Sequence, residues 1–149
     1  MSIDIRLATP ADLPAIHGLV AELAAYVGQS DQFTATRETY AADLAAGFFE
    51  ALVAEDRAAG RVVGMALYYN AYSTWRGRML YLEDFVLDPA YRRRGIGQRL
   101  WDALGEVGRA RGCRLLKWQI AGTNTEALKF YAAQEAIVED DWLNGKIWL

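Results

Sequence analysis

The chain is poor in the residues that hold metal ions or cross-link a fold. Its 149 residues include one cysteine, Cys113, and one histidine, His17. A single cysteine excludes an intrachain disulfide and a multi-cysteine zinc site, and a single histidine excludes a multi-histidine metal site. We therefore expect no metal. Cys113 follows a glycine and has no base near it in the sequence, which is typical of a small buried filler rather than a nucleophile.

Long apolar runs and long basic tracts are also missing. No apolar stretch approaches the roughly 20 residues that cross a bilayer, and the first residues lack the basic and then apolar layout of a secretory signal. The sequence thus predicts a cytoplasmic protein with no membrane partner. Its formal net charge is −3. Since phosphate-backbone binding relies on clustered Lys and Arg, we expect no nucleic acid as partner.

Hydrophobic periodicity predicts alternating strands and helices along the whole chain. The 53% hydrophobic content indicates a packed globule, and no repeat or linker divides it, so residues 1–149 are interpreted as one mixed α/β (α+β) domain. The predicted elements are a strand 3–7, a helix starting near 10, a helix 37–46, strands 50–56, 62–69 and 78–87, a helix 97–111, a strand 115–120, a helix 124–133 and a final hairpin within 136–149.

A basic, glycine-containing segment joins the strand 78–87 to the helix 97–111. It reads Arg92-Arg93-Arg94-Gly95-Ile96-Gly97. The first N–H groups of a helix have no internal partner and carry its positive dipole end. Glycines let consecutive N–H groups converge on an anion, and arginines add forked donors. The segment predicts a phosphate or pyrophosphate at this helix start; a glycine turn beside a solvated basic patch is the alternative.

Two adjacent carboxylates, Glu83 and Asp84, lie in an otherwise apolar strand. Adjacent strand residues point to opposite faces, so the two carboxylates share one environment only if the strand is bulged. Charged residues in a core strand need a reason. One interpretation is an ion pair with a neighbouring arginine, and the other is a cleft that binds an amine. A carboxylate with a raised pKa could take a proton from an ammonium there.

The predicted helix 124–133 carries further candidates. Asn124 is a plausible N-cap, and Ala127 and Tyr131 share one face because they are four residues apart. A helical tyrosine is usually a core or rim residue. The alternative is that its hydroxyl donates a proton to a leaving group.

The sequence resembles the GNAT superfamily of N-acetyltransferases. Arg92-x-x-Gly95-x-Gly97 matches the R/Q-x-x-G-x-G/A motif by which these enzymes bind the pyrophosphate of coenzyme A. Around it, the residues resemble the diamine (spermidine/spermine) N-acetyltransferase branch. They are Tyr68-Tyr69, Trp75, Tyr81-Leu82-Glu83-Asp84-Phe85-Val86, Tyr91 and Phe130-Tyr131, with Ile5-Arg6, Ala8-Thr9 and Asp12 near the N-terminus. The resemblance covers essentially the whole chain.

This resemblance implies a mostly antiparallel sheet flanked by helices and splayed after Leu87, where acetyl-CoA inserts as co-substrate. It implies that Glu83 is the general base and Tyr131 the general acid of a direct transfer. Substrate-binding residues would be Glu83, Asp84, Tyr26 and Trp75. Cofactor-binding residues would be Phe85, Val86, Leu87, Arg92, Arg93, Arg94, Gly95, Ile96, Gly97, Gln98, Asn124 and Ala127. A homodimer is also implied, in which a second copy covers the apolar tail that contains Trp142, Ile147 and Trp148.

Two positions depart from the branch. Val27 follows Tyr26 where the diamine enzymes usually carry an acidic residue, so one anchor for a long polyamine is missing. Glu135 stands where a glycine normally ends the last helix, and we expect a reshaped turn there.

The predicted function is therefore acetyl transfer to a primary amine of a diamine, a polyamine or an amino acid with a side-chain amine. The alternatives are a protein lysine or N-terminal acetyltransferase, and a non-catalytic module that binds acetyl-CoA.

Overall fold

A five-stranded sheet with three α-helices occupies residues 2–119 of the computed structural model, which describes residues 2–149. The elements in chain order are β1 (Ile3–Leu7), α1 (Leu13–Tyr26), α2 (Arg37–Ala45), β2 (Glu50–Asp56), β3 (Arg61–Ser73), β4 (Gly77–Leu87), α3 (Ile96–Ala110) and β5 (Leu115–Trp118). A second compact unit, Ile120–Leu149, contains α4 (Thr125–Ala133). None of the helices in residues 2–149 has the length and apolar character needed to cross a membrane.

The strands lie in the order β1-β2-β3-β4-β5. The first four pair antiparallel with their neighbours, and β5 pairs parallel with β4. This confirms the predicted mixed, mostly antiparallel sheet. The pairing of β4 with β5 ends at Leu82 and Trp118. The predicted splay after Leu87 is thus wrong in its position, because β5 ends at Trp118 and its pairing with β4 stops at Leu82.

Each face of the sheet is buried by helices. Strand residues alternate between the faces, so neighbours such as Leu52 and Val53 enter different cores. The α3 face consists of Leu52, Ala54, Val63, Ala66, Tyr68, Leu80 and Leu82 packed on Ile96, Leu100 and Leu104 of α3. The α1 face consists of Ala51, Val53, Met65 and Leu67 packed on Leu13, Ile16 and Leu19 of α1.

An arginine–aspartate clamp fixes the start of α1. Both carboxylate oxygens of Asp12 accept hydrogen bonds from Arg6, at 2.8 and 2.9 Å, and the backbone N–H of Thr9 donates to the same carboxylate at 2.8 Å. The guanidinium beside it lowers the pKa of Asp12 below its ordinary value. The predicted proline-led helix start is found as a 3-10 turn, Pro10–Asp12, which leads into α1.

The end of α4 differs from the expected reshaped turn. Glu135 itself adopts the left-handed conformation, with φ of 61°. The backbone N–H of Ala136 donates to the carbonyl of Tyr131 at 3.2 Å, and that of Glu135 donates to the carbonyl of Ala132 at 3.0 Å. These bonds satisfy helix-end carbonyls in the way a glycine-ended helix does, and they offset the cost of a side chain at positive φ.

The predicted C-terminal hairpin is wrong for this chain. Residues 136–149 form no strand in the described structure. Large apolar side chains of this tail are exposed, with Ile137 at 86%, Leu143 at 95% and Ile147 at 83%. A two-stranded hairpin is marginal in water unless a hydrophobic face packs against something. The prediction relied on the Asn-Gly pair at 144–145, which favours a turn but does not provide a surface for the hairpin to pack on.

Candidate active site

Residues 92–97, which lead from the 3-10 turn after β4 into the first turn of α3, are the predicted anion-binding segment, and we call them the phosphate loop. Arg93 and Gly95 both adopt positive φ, of 61° and 77°, and α3 begins at Ile96. Left-handed residues just before a helix turn successive N–H groups toward one point. The first N–H groups of α3 add donors that have no carbonyl partner within the helix. The predicted order of strand, turn and helix is therefore confirmed.

Gly95 is required in this loop by conformation rather than by space. A Cβ built on Gly95 would meet no atom within 4 Å, yet its φ of 77° is one that L side chains rarely adopt. The residue is also the N-cap of α3. A side chain here would strain the turn that aims the N–H groups.

An aromatic residue anchors the phosphate loop to the sheet. The Tyr91 hydroxyl donates to Asp56 at the end of β2, at 2.8 Å. The guanidinium groups of Arg61 and Arg94 lie 5.3 and 5.5 Å from the centre of the Tyr91 ring. Arg61 also pairs with Asp88 at 3.0 Å. The side chains of Arg92, Arg93 and Arg94 are exposed, so a positive surface surrounds the helix start.

Strand β4 carries a β-bulge at Glu83. Leu67 and Tyr68 are adjacent on β3, but their partners on β4 are Asp84 and Leu82, which leaves Glu83 as the extra residue. A bulge interrupts the alternation of faces. Leu82 therefore lies in the core of the α3 face, whereas Asp84 lies opposite Leu67 on the α1 face.

The bulge also brings Glu83 to the α1 face. The Tyr69 hydroxyl donates to the Glu83 carboxylate at 3.2 Å, and Tyr69 is two residues beyond Leu67 on β3. The rings of Tyr69 and Tyr81 stack with centroids 5.4 Å apart. The two carboxylates hence share one environment, which a regular strand would have prevented.

Glu83 and Asp84 form an acidic site that has no cationic partner among residues 2–149. Asp84 is half-buried and Glu83 is exposed. Burial, followed by the negative charge of Glu83, raises the pKa of Asp84 to about 6. No lysine or arginine within residues 2–149 forms an ion pair with either carboxylate. The ion-pair interpretation therefore has no partner in the described chain.

The backbone of β4 beyond the bulge is the predicted contact for the arm of coenzyme A. Phe85, Val86 and Leu87 continue the ladder with β3 after the pairing with β5 has ended. The ring of Phe85 packs edge-on against Trp101 of α3, with centroids 5.9 Å apart. This stretch leads directly into the phosphate loop.

The predicted general acid lies in α4. Tyr131 is 6% exposed, and burial raises the pKa of its hydroxyl to about 12. The phenol therefore keeps its proton at neutral pH, as a proton donor must. The predicted N-cap is confirmed, because the Asn124 side chain accepts a hydrogen bond from the backbone N–H of Ala127 at 3.2 Å. The catalytic and cofactor roles of these three residues stay predictions.

Two of the predicted substrate residues lie in exposed positions. Tyr26, the last residue of α1, is 64% exposed, and Trp75 in the turn between β3 and β4 is 84% exposed. Glu83 is six residues along β4 from Gly77, which puts the turn roughly 20 Å away. The structure therefore does not bring Trp75 to the acidic pair, and its substrate role stays a prediction, as does that of Tyr26.

Comparison with known sequences decides the family. The model of the acetyltransferase (GNAT) family matches residues 16–135. The chain belongs to the GNAT family of acetyltransferases.

Relatives within this family have named substrates. The chain is 37% identical over 149 residues to the thialysine N-epsilon-acetyltransferase of Bos taurus, covering 93% of this chain and 88% of that protein. It is 33% identical to the human spermidine/spermine N(1)-acetyltransferase-like protein 1, over 93% of this chain and 21% of that protein. A GNAT-like fold is seen in an aminoglycoside N-acetyltransferase solved with CoA, with a TM-score of 0.77, 20% identity and coverage of 98% and 95% of the two chains.

One residue on the same face as the acidic pair was given no role by sequence reasoning. Tyr40 of α2 is half-buried, and burial, with the charges of Asp84 and Glu83 adding to it, raises the pKa of its hydroxyl to about 12. Its spacing of one turn to Leu44 indicated only a helix. No local pattern could have placed it on the face that carries the acidic pair, because its position depends on how α2 packs. We call Tyr40, Tyr69, Tyr81, Glu83 and Asp84 together the acidic pocket.

Proposed function

We propose that this protein is an acetyl-CoA-dependent N-acetyltransferase that moves an acetyl group directly onto a primary amine of a small cationic substrate. The observation that carries this function is the bulge in β4. It puts Glu83 and Asp84 on one face with no cation of residues 2–149 paired to them. An acidic site of this kind attracts an alkylammonium. Residues 1–149 would act as one catalytic domain.

The acetyl donor, acetyl-CoA, is proposed to bind at the phosphate loop. In this proposal the pyrophosphate of acetyl-CoA binds the N–H groups between Arg93 and Gln98, and Arg92 and Arg94 add charge. The backbone of Phe85, Val86 and Leu87 would hold the pantetheine arm and polarise the thioester carbonyl, while Asn124 and Ala127 contact the cofactor. Support comes from membership of the acetyltransferase family and from the like-folded enzyme solved with CoA.

The acceptor must lose a proton before it can attack. Glu83, directly or through a water, takes that proton from the ammonium, and the neutral nitrogen attacks the thioester carbonyl. The new nitrogen–carbon bond forms and the carbon–sulfur bond breaks. Tyr131 donates its proton to the leaving thiolate, and the acylated nitrogen gives up its second proton, which restores the Tyr131 phenol. The products are the N-acetylated amine, CoA with a free thiol and the one proton held by Glu83. Asp84 holds the positively charged substrate.

The substrate class is a small molecule with more than one cationic group. Relatives are named for thialysine and for spermidine and spermine, which supports a side-chain or terminal amine as the acceptor. Val27 leaves the end of α1 without an acidic anchor for a long polyamine. We therefore favour short acceptors over long ones.

We also propose a cytoplasmic homodimer. Its basis is the exposed apolar tail, in which Trp142 is 71%, Ile147 83% and Trp148 76% exposed. Such a patch is unusual on the surface of a monomer and is explained if a second copy covers it.

A thiol-release assay with acetyl-CoA tests the proposed function. The panel contains short diamines, spermidine, L-lysine, thialysine and a lysine-containing peptide, and mass spectrometry identifies the product. We expect turnover with small amines, one acetyl group added per product, and no lasting acetylation of the protein. Turnover with the peptide alone would instead support a protein acetyltransferase. Tight acetyl-CoA binding with no turnover on any acceptor would support a binding module and contradict the proposal.

A further inference from the structure

An aromatic cluster lies on the α1 face, the face of the sheet that also carries the acidic pair. Tyr40 packs edge-on against His17 of α1 and against Phe49, with ring centroids 5.2 and 5.8 Å apart, and Phe33 lies 6.5 Å away. The ring of His17 is itself fixed, since its Nε2 donates to the carbonyl oxygen of Ala35 at 2.8 Å. The Tyr40 ring is therefore held in place from several sides.

Tyr40 lies on the face of the sheet that carries Asp84. It packs on Phe49, two residues before Ala51, and Ala51 and Asp84 are the two ladder partners of Leu67. The Tyr40 side chain packs against the core of the α1 face, to which Leu67 belongs, and Val86 packs against the same core. Leu67 is the partner of Asp84 across the β3–β4 ladder, and Val86 is two residues further along β4 on the same face. The charges of Asp84 and Glu83 both act on the Tyr40 hydroxyl, which agrees with this placement.

Tyr40 and Asp84 have hydrogen-bonding capacity that the protein does not use. Within residues 2–149, neither the Tyr40 hydroxyl nor the Asp84 carboxylate makes a hydrogen bond to another residue. Neither the Tyr40 hydroxyl nor the Asp84 carboxylate is among the fully buried, unbonded polar atoms of residues 2–149, so both are in reach of solvent. A phenol oxygen and a carboxylate on one face of the sheet suit an ammonium group, which has three donors and no acceptor.

We propose that Tyr40 is a specificity-determining residue, which holds the second cationic group of the acceptor together with Asp84 while Glu83 faces the reacting amine. This inference rests on the proposed function. The Tyr40 oxygen accepts a hydrogen bond from the distal ammonium, and the fixed ring forms one wall of the acidic pocket. Tyr40 thereby favours acceptors with two cationic groups over simple monoamines.

Two amines of equal chain length test the inference. Initial rates are measured by thiol release at saturating acetyl-CoA, with 1,4-diaminobutane and with butylamine. Tyr40→Phe keeps the ring and its packing and removes only the hydroxyl. We expect the KM for the diamine to rise about ten-fold with little change in kcat, since a hydrogen bond to a charged group is lost. The kcat/KM for butylamine should stay within about two-fold, because that substrate has no second ammonium to lose a partner.

Tyr72→Phe is the matched control. Tyr72 is 69% exposed near the end of β3, and its substitution should leave kcat and KM unchanged for both amines. The inference is overturned if Tyr40→Phe leaves the KM for the diamine unchanged. It is also overturned if the substitution lowers kcat/KM equally for both amines, which would indicate a structural role. Wild-type protein that acetylates neither amine nor any other panel member would instead contradict the proposed function itself.

Discussion

The phosphate loop is one continuous segment that presents backbone N–H groups, whereas the acidic pocket collects side chains from α2, β3 and β4. The geometry of the loop depends on Arg93 and Gly95 at positive φ before α3. The geometry of the pocket depends on the bulge at Glu83 and on the packing of Tyr40. We expect the loop to tolerate changes of side chain but not of backbone, and the pocket to behave in the opposite way.

The largest effect is expected at a residue that belongs to neither region. Tyr131→Phe should lower kcat by about 10²–10⁴-fold, since it removes the proton for the leaving thiolate. Affinity for acetyl-CoA should stay the same, because neither the loop nor the pocket has changed. Steady-state kinetics and calorimetry measure the two quantities. Wild-type turnover in the variant, with the chemical step shown to be rate-limiting, would refute Tyr131 as the acid.

The second effect contrasts backbone and side chain within the phosphate loop. Gly95→Val and Gly97→Val should each reduce acetyl-CoA affinity by about 100-fold or more, because a side chain distorts or occupies the anion site. Arg93→Ala should reduce acetyl-CoA affinity only a few-fold, since it leaves the backbone N–H groups in place.

Gly18→Val is the control for these variants, because a Cβ on Gly18 also meets nothing within 4 Å and its φ is not positive. Calorimetry that finds undiminished acetyl-CoA affinity in Gly97→Val would show that the loop is not the anion site.

The third effect concerns the charge of the acceptor. L-Lysine and 1,5-diaminopentane carry the same terminal amine and differ in the α-carboxylate. No cation of residues 2–149 pairs with Glu83 or Asp84, so nothing there offsets a carboxylate on the substrate. We expect kcat/KM to be about ten-fold higher for the diamine. Lysinamide, which lacks that negative charge, should recover most of the difference. A preference for L-lysine over both compounds would mean that a cation outside the acidic pocket binds the carboxylate.

The smallest effect is on stability. Because the pKa of Asp84 in the folded state is about 6, above its ordinary value of 3.8, its stabilising contribution is complete below pH 3.8 and is lost as the pH rises through about 6. At pH 8 the buried charge therefore destabilises the fold. Asp84→Asn should raise stability at pH 8 by roughly 1–2 kcal/mol, or the Tm by a few degrees, while the amine KM rises.

The stability gain should shrink as the pH falls below 6, which thermal melts at pH 8 and pH 5 can show. Asp140→Asn, at an exposed position, should show no such dependence. A gain in Asp84→Asn that is equal at both pH values would indicate that the carboxylate is not destabilised by burial.

The features that could be predicted from the sequence are those encoded by neighbouring residues. The phosphate loop has its arginines, glycines and helix start in one run, and the Asn124 cap lies three residues from the N–H it accepts. The elements of residues 2–119 were predicted for the same reason, with small errors at their ends. The sequence showed only that Glu83 and Asp84 share one face if the strand is bulged. The bulge itself could not be predicted, because it arises from the register between β3 and β4.

The errors arise where a distant surface decides the structure. The tail hairpin was predicted from Asn144 and Gly145, yet Ile137, Leu143 and Ile147 are exposed in the described structure, so no buried face stabilises a hairpin there. Tyr40 joins the acidic pocket through the packing of α2, which its own neighbours in sequence do not reveal. The expectation that the turn at Glu135 is reshaped for lack of a glycine was wrong, because two helix-end hydrogen bonds stabilise a glutamate in the left-handed conformation.

The central claim is that the acidic pocket binds and deprotonates the amine independently of acetyl-CoA binding, and Glu83→Gln tests it most directly. This substitution keeps the shape of the side chain and removes its charge and its ability to accept a proton. We predict a higher amine KM and a rate deficit that is greatest at low pH, where the free amine is scarcest, with an unchanged Kd for acetyl-CoA. Glu106→Gln, at an exposed position on α3, should match the wild type. An unchanged pH profile and amine KM in Glu83→Gln would contradict the account and leave Glu83 a structural residue.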